Sequence, residues 1–196
     1  MSELSSSRER RKSRLRTKKS RSLLTRILVI AGVAGLIGYL VWDISRPPEG
    51  QDFPIQGDQH IPDGTDPGPY NSNPPTSGPH YANPLDPGFY EEEDLAELGP
   101  YPHAYVVHNL EHGYIAFWYN CDLLSDGECE ELKTEIREYM SRSLVSKLIA
   151  FPWHGTDVPL VLTSWGYLLE MPEFNVRRAG SFIGANRNRA PEPNAP

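Results

Sequence analysis

Eight of the thirty residues from Ile61 to Tyr90 are proline, and that density limits what this stretch of a 196-residue chain can become. Proline has no backbone donor and collides with the preceding helical turn, so neither a long helix nor a central strand can form there. Interleaved Gly, Asn and Asp supply turns. Disorder is the plain alternative, but Tyr70, Tyr81, Phe89 and Tyr90 lie in or at the end of the stretch, and disordered segments are poor in aromatics. The expectation is an ordered, irregular wrap that carries isolated short strands.

Regular elements are expected after it. Glu91 to Gly99, "EEEDLAELG", reads as a short helix closed by glycine. "YVVHNL" (Tyr105–Leu110) and "GYIAFWY" (Gly113–Tyr119) are rich in β-branched and aromatic residues and read as strands. "SDGE", Ser125 to Glu128, has capping-box form, and Leu132, Ile136 and Met140 then recur at fourfold spacing on one helical face. "LVSKLIAFPW" and "PLVLTSWGYLLEM" read as strands, the second broken near Gly166, and Phe174, Ala179, Phe182 and Ile183 outline a last helix. The pattern predicts an α+β domain over residues 51–192, a small β-sheet with helices on one face. The polar, proline-containing residues from Asn186 onward read as loose, above all the tail 193–196.

The N-terminal part has a different character. Residues 1–26 hold ten Lys/Arg against two Glu, so this basic tail carries +8 while the rest of the chain carries −15. Ile27 to Trp42 contains no charged residue. Sixteen helical residues reach about 24 Å, and Leu23 to Thr25 extend the run toward a bilayer core of about 30 Å if Arg26 snorkels. Tyr39 and Trp42 suit the far interface, and Gly32, Gly35 and Gly38 would permit close approach of a second helix. No small-x-small cleavage site follows in "LVWDISRPPEG", so an uncleaved anchor is expected rather than a signal peptide. Basic residues before the span place the N-terminus in the cytoplasm. The reading is a single-pass protein of the cytoplasmic membrane: residues 27–42 as anchor, 43–50 as linker, and an extracytoplasmic domain. Orientation accounts for the basic tail, so no nucleic-acid partner is expected.

Cys121 and Cys129 are the two cysteines, and both lie in the exported part. An oxidising compartment favours a disulfide between them. A thiol redox or metal pair is the functional alternative, and C-x7-C spacing argues strongly for neither.

The histidines are the chemical signal. His60, His80, His108 and His112 sit beside turn-formers or acids, in "QHIPDG", "SGPHY" and "VHNLEHG". On a helix, His108 and His112 would share a face beside Glu111, the inverted zinc-protease signature. The flanking β-rich runs leave room for about one helical turn, which argues against that platform. A metal site built on turns is the other possibility. His80, His108 and His112 would then be the main ligands, with His60 a fourth and Glu111 a ligand or orienting group. The bland alternative is that these side chains only lock the wrap to its own carbonyls. His103 and His154 read as surface or packing residues.

"YNSNPPTSGPHY" (Tyr70–Tyr81), "VHNLEHGYIAFWY" (Val107–Tyr119), "LTSWGYLLE" and "FIGANRNRAPE" together resemble the bacterial domain-of-unknown-function family 3105, over roughly Gln51 to Glu192. The resemblance brings no activity with it. It implies marked positions at His60, Pro75, Ser77, Gly78, His80, His108, Glu111, His112, Gly113 and Trp165. Four histidines and a glutamate spent in turns look more like a site than a scaffold. A strand ending in "YNC" before an amphipathic helix is also similar to the start of thioredoxin-like and copper-delivery proteins. The leading expectation is a membrane-anchored binding domain that holds one copper or zinc ion and handles metal or recognises an envelope partner, without turnover. The alternatives are an interaction module without ligand, a redox or copper-transfer protein acting through Cys121 and Cys129, and a hydrolase with Glu111 as base.

Overall fold

Ile115, Phe117 and Tyr119 leave the central strand on one side and Ala116 and Trp118 on the other, and each set anchors its own apolar cluster. That alternation is the period-two geometry of a strand buried on both faces. The computed structural model describes residues 25–42, 45 and 49–196. It divides into two units, residues 1–46 and 47–196.

In the first unit the described part is α1 (Thr25–Trp42), a helix long and apolar enough to cross a membrane, with no residue buried. The basic tail before Thr25 and residues 43, 44 and 46–48 of the expected linker lie outside the described residues.

The second unit begins with the wrap. It carries β1 (Gln51–Asp52), β2 (His60–Ile61), β3 (His80–Tyr81) and β4 (Gly88–Phe89), then the short α2 (Glu92–Leu95). There follow α3 (His103–Glu111), β5 (Ile115–Tyr119), a 3₁₀ turn at Cys121–Leu123, α4 (Asp126–Arg142), β6 (Leu148–Pro152), β7 (Leu160–Ser164), β8 (Tyr167–Met171) and α5 (Val176–Asn186). The fold is α+β. Six strands form one sheet in the order β1-β8-β7-β5-β6-β4, and β2 and β3 make a separate two-stranded sheet. β5 and β6 run parallel, joined by α4, while β7 is antiparallel to both β5 and β8.

Leu132 and Ile136 of α4 and Ala179, Phe182 and Ile183 of α5 pack on the face of Phe117 and Leu162. Full burial of each such large apolar side chain stabilises by about 1.5–3 kcal/mol. The capping box is present: the Glu128 carboxylate accepts from the Ser125 amide at 2.9 Å. At α5 the Asn175 side chain accepts from the Arg178 amide at 3.0 Å.

The expected strand at Tyr105–Leu110 is instead helical, as α3, and it lies across the sheet from α4 and α5. Val106, Val107 and Leu110 pack against Trp118, Phe151 and Val161 on the second face. So the two long helices cover one face, and the wrap with α3 covers the other. Tyr105, Val106 and Val107 do favour strand, but such preferences span only about 1 kcal/mol and burial overrides them.

Residues 187–196, a stretch whose sequence reads as loose, are tied back to the domain. The Asn188 amide donates to Gly113 O and the Glu192 amide to Glu111 O, both at 3.0 Å. The Lys147 ammonium donates to three carbonyls, those of His112 (2.8 Å), Pro193 (3.0 Å) and Ala195 (2.6 Å). Those bonds make a strap across the C-terminal end of α3.

Candidate metal centre

The two-stranded sheet does one job for the site: it sets His60 opposite His80 in parallel register. The wrap is pinned on either side. The Gly78 amide donates to Gly57 O and the His80 amide to Gln59 O, and Ser77 Oγ accepts from the Gln56 amide at 3.1 Å. Pro75, Ser77 and Gly78 are all buried. Trp165, in the β7–β8 turn, is buried and sits edge-on to the His80 ring at 6.3 Å. These marked positions hold the wrap; the histidines face the centre.

α3 brings the rest. His108, Glu111 and His112 stand at i, i+3 and i+4, so they share one side of the helix end. The Nε2 atoms of His80 and His60 lie 3.0 and 3.3 Å from Glu111 Oε2. The His60 and His108 rings are stacked, with centroids 4.9 Å apart. One donor atom from each of His60, His80, His108 and Glu111 falls within 4.8 Å of the other three. His80, His108 and Glu111 are buried, at 0%, 4% and 3% exposure, whereas the His60 side chain is 46% exposed.

Hydrogen bonding fixes which ring atoms are free. His80 Nδ1 lies 2.7 Å from Gly78 O, and His108 Nδ1 lies 2.7 Å from Tyr81 O. A carbonyl only accepts, so each Nδ1 carries the proton and donates it. In the neutral rings each Nε2 then presents a lone pair. His80 Nε2 faces a carboxylate oxygen, and His108 Nε2 faces His112 Nε2 at 2.9 Å. Burial first, and the neighbouring His112 and His80 rings after it, push the His108 pKa down to about 4, so this ring is neutral at pH 7.

His112 differs from the expectation. It is not among the four gathered donors. Its Nδ1 contacts Pro196 O at 3.1 Å and its Nε2 lies 3.5 Å from the Glu192 carboxylate, so the strap engages its ring. Lys147 carried no motif, and Glu192 ended the "FIGANRNRAPE" stretch without an assigned role; only their contacts reveal what they do. The helix under His108 and His112 also removes the sequence-level objection to an H-x-x-E-H platform. Glu111 Oε2, however, is itself one of the gathered donors rather than a free base.

Cys121 and Cys129 are bonded to each other. They follow the C-terminal end of β5, whereas Glu111 and His112 precede its N-terminal end, so a strand of roughly 16 Å separates them. Asp122 and Glu128 flank them, and neighbouring acids disfavour a thiolate.

The two remaining histidines lie elsewhere. His154 sits at the surface between Asp122 (2.8 Å) and Glu92 (3.2 Å), and the hydrogen bond to Asp122 leads in raising its pKa. His103 packs edge-on to Trp153 at 5.1 Å, and burial lowers its pKa to about 4. The unfolded chain, with an ordinary value near 6.5, therefore binds more protons than the folded one between those limits. Stability from this residue is complete above about pH 6.5 and is lost as pH falls toward 4. The expected size is about 1–2 kcal/mol after discounting partial exposure. Denaturant unfolding of His103→Phe beside the wild type at pH 7.0 and 4.5 measures it. The gap between the two proteins should shift in favour of the variant at the lower pH, and a pH-independent gap would refute the assignment.

A family model described as "Protein of unknown function (DUF3105)" matches residues 64–196. Three of the four gathered donors fall inside that match, and His60 lies four residues before it. No curated protein and no solved structure matches the chain.

Proposed function

The chain belongs to that family of proteins of unknown function, DUF3105, and from this premise we propose that its domain holds one divalent transition-metal ion, copper or zinc. His60, His80, His108 and Glu111 are the ligands. The observation that carries the reading is the convergence of one donor atom from each of His60, His80, His108 and Glu111 within 4.8 Å of one another, with three of the four residues buried. His80 and His108 have spent their Nδ1 protons on carbonyls, the usual second-sphere arrangement of a metal-bound histidine. A cation at the centre turns facing acceptors into ligands. Two of the spacings suit it: with bonds of about 2.0–2.1 Å, donors at 90° and tetrahedral angles stand about 3.0 and 3.4 Å apart. Glu111 Oε2 stands 3.0 and 3.3 Å from the two nearest ring nitrogens.

An all-nitrogen-and-oxygen set without thiolate or thioether suits Zn(II) or Cu(II) better than Cu(I). Four protein donors close a tetrahedron, and catalytic zinc sites keep one position open. Metal holding therefore fits better than hydrolysis. The disulfide serves as a staple in this reading. α1 anchors the domain to a membrane, N-terminus inside, which agrees with a disulfide on the oxidising side.

The rival reading, an interaction module without ligand, gains support from one alternative protonation. A doubly protonated His80 would satisfy Glu111 as a buried ion pair. His108 and His112 would then need a second such ring close by, and charges removed from water are costly. Elemental analysis separates the two. The full chain, purified in detergent, loaded with copper or zinc and dialysed, should carry one ion, and His80→Ala none. A wild type without metal after both loadings would end the proposal.

A further inference from the structure

Three donors of the centre are enclosed and one is not. His80 and His108 are each fixed at Nδ1 by a carbonyl at 2.7 Å, and Glu111 is 3% exposed at the end of a buried helix. His60 has no such support. Its side chain is 46% exposed, its Nε2 reaches only Glu111 among the described residues, and its strand is two residues long. The chain around His60 is acidic: Asp58, Asp63 and Asp66 lie within six residues of it and are exposed. Clustered negative charge raises the local concentration of cations.

Resting on the metal reading, we propose that His60 is the exchange ligand of the centre, the point at which the ion is taken up and handed to an acceptor of nitrogen or oxygen donors. An acceptor reaches the ion past His60, because that side chain is 46% exposed whereas His80, His108 and Glu111 are buried. The transfer is a ligand substitution. The acceptor's lone pair bonds to the ion as the His60 Nε2–metal bond breaks. His60 leaves as neutral imidazole and no electron moves. Further such steps, against His80, His108 and Glu111 in turn, empty the site. A structural ion would sit behind four enclosed donors; an ion meant to be passed on needs one donor that solvent can reach.

The test is the kinetics of extraction from the zinc-loaded full chain in detergent, mixed with increasing 4-(2-pyridylazo)resorcinol. The rate of zinc capture should rise in proportion to chelator concentration, since the chelator must enter the coordination sphere. His60→Ala should still take up one ion at saturating zinc and should release it at least about tenfold faster, the lower end of what weakening a metal site by one supporting group produces. A rate independent of chelator concentration overturns the proposal. So does a His60→Ala chain that binds no zinc where the wild type binds one, or that releases it no faster. A wild type that never loads overturns the metal reading and this inference with it, and it is recognised before any rate is measured.

Discussion

Saturating zinc or copper should raise the unfolding midpoint of the domain by about 8–16 °C, and His80→Ala should abolish the rise. The proposed ligands come from residues 60, 80, 108 and 111, three separate segments that only the fold assembles. A ligand that binds the native state alone adds about 4 kcal/mol when present at a thousand times its dissociation constant. For a domain of this size each kcal/mol moves the midpoint by about 2–4 °C. His80 is the donor to remove, because it is fully buried and Glu111 faces it directly. Its loss also leaves that carboxylate short of a partner, so the apo variant differs in stability from the apo wild type. The informative quantity is the shift on adding metal, measured by scanning calorimetry with and without chelator. Equal shifts in both proteins would place any bound ion elsewhere; no shift in either would leave the histidine cluster as a packing device. His112→Ala is the useful contrast. His112 lies outside the four donors and against the strap, so this variant should keep most of the shift.

The contrast between His80 and His112 marks where sequence reasoning stops. Residue types and spacing pointed to segments that the fold brings together, because imidazoles beside turn-formers are visible as text. The strands β5, β7 and β8 were legible from runs of β-branched, aliphatic and aromatic residues and from the break at Gly166, and α4 from its capping box and fourfold apolar spacing. α3 was not. Every residue from Val106 to Glu111 is buried, the polar His108, Asn109 and Glu111 included, so polarity does not mark a solvent-facing side and the 3.6-residue period is obscured. What remained was local preference, and Tyr105, Val106 and Val107 prefer strand. That one error hid the helical side that presents His108 and Glu111 together. The strap was illegible for another reason. Its attachments run through backbone atoms of residues 188–196 to Gly113, Glu111 and the ammonium of Lys147, and backbone carbonyls look the same in every sequence. Nothing separates Lys147 from other lysines until its three acceptors are seen. His112 followed from both gaps: with the helix and the strap unseen, there was no ground for separating it from the gathered donors.

Gly113→Ala should cost at least about 3 kcal/mol, far more than the same change at Gly99. Both glycines have positive φ, +84° and +81°. Alanine in the left-handed region costs about 1–2 kcal/mol at either position. The surroundings differ. At Gly99 an added Cβ meets nothing within 4 Å, whereas at Gly113 it would lie 2.6 Å from Asn188 Cα and 3.0 Å from Asn188 N. These are backbone atoms, so no side-chain rotation relieves the clash. Either the strap moves or the chain entering β5 does. Movement of the strap breaks the Asn188 amide bond to Gly113 O and strains the Glu192 bond to Glu111 O, which is why the change reaches the centre as well as the fold. Denaturant unfolding of the two variants in the apo state gives the comparison, and hydrogen exchange of amides 188 and 192 reports whether the strap has lifted. If Gly113→Ala unfolds no more easily than Gly99→Ala and both amides stay protected, the close approach of residue 188 to this turn is wrong. If the amides open while global stability falls by only the common 1–2 kcal/mol, the strap is a separable layer, and His112, which relies on it for its Nδ1 contact, becomes free to turn toward the ion.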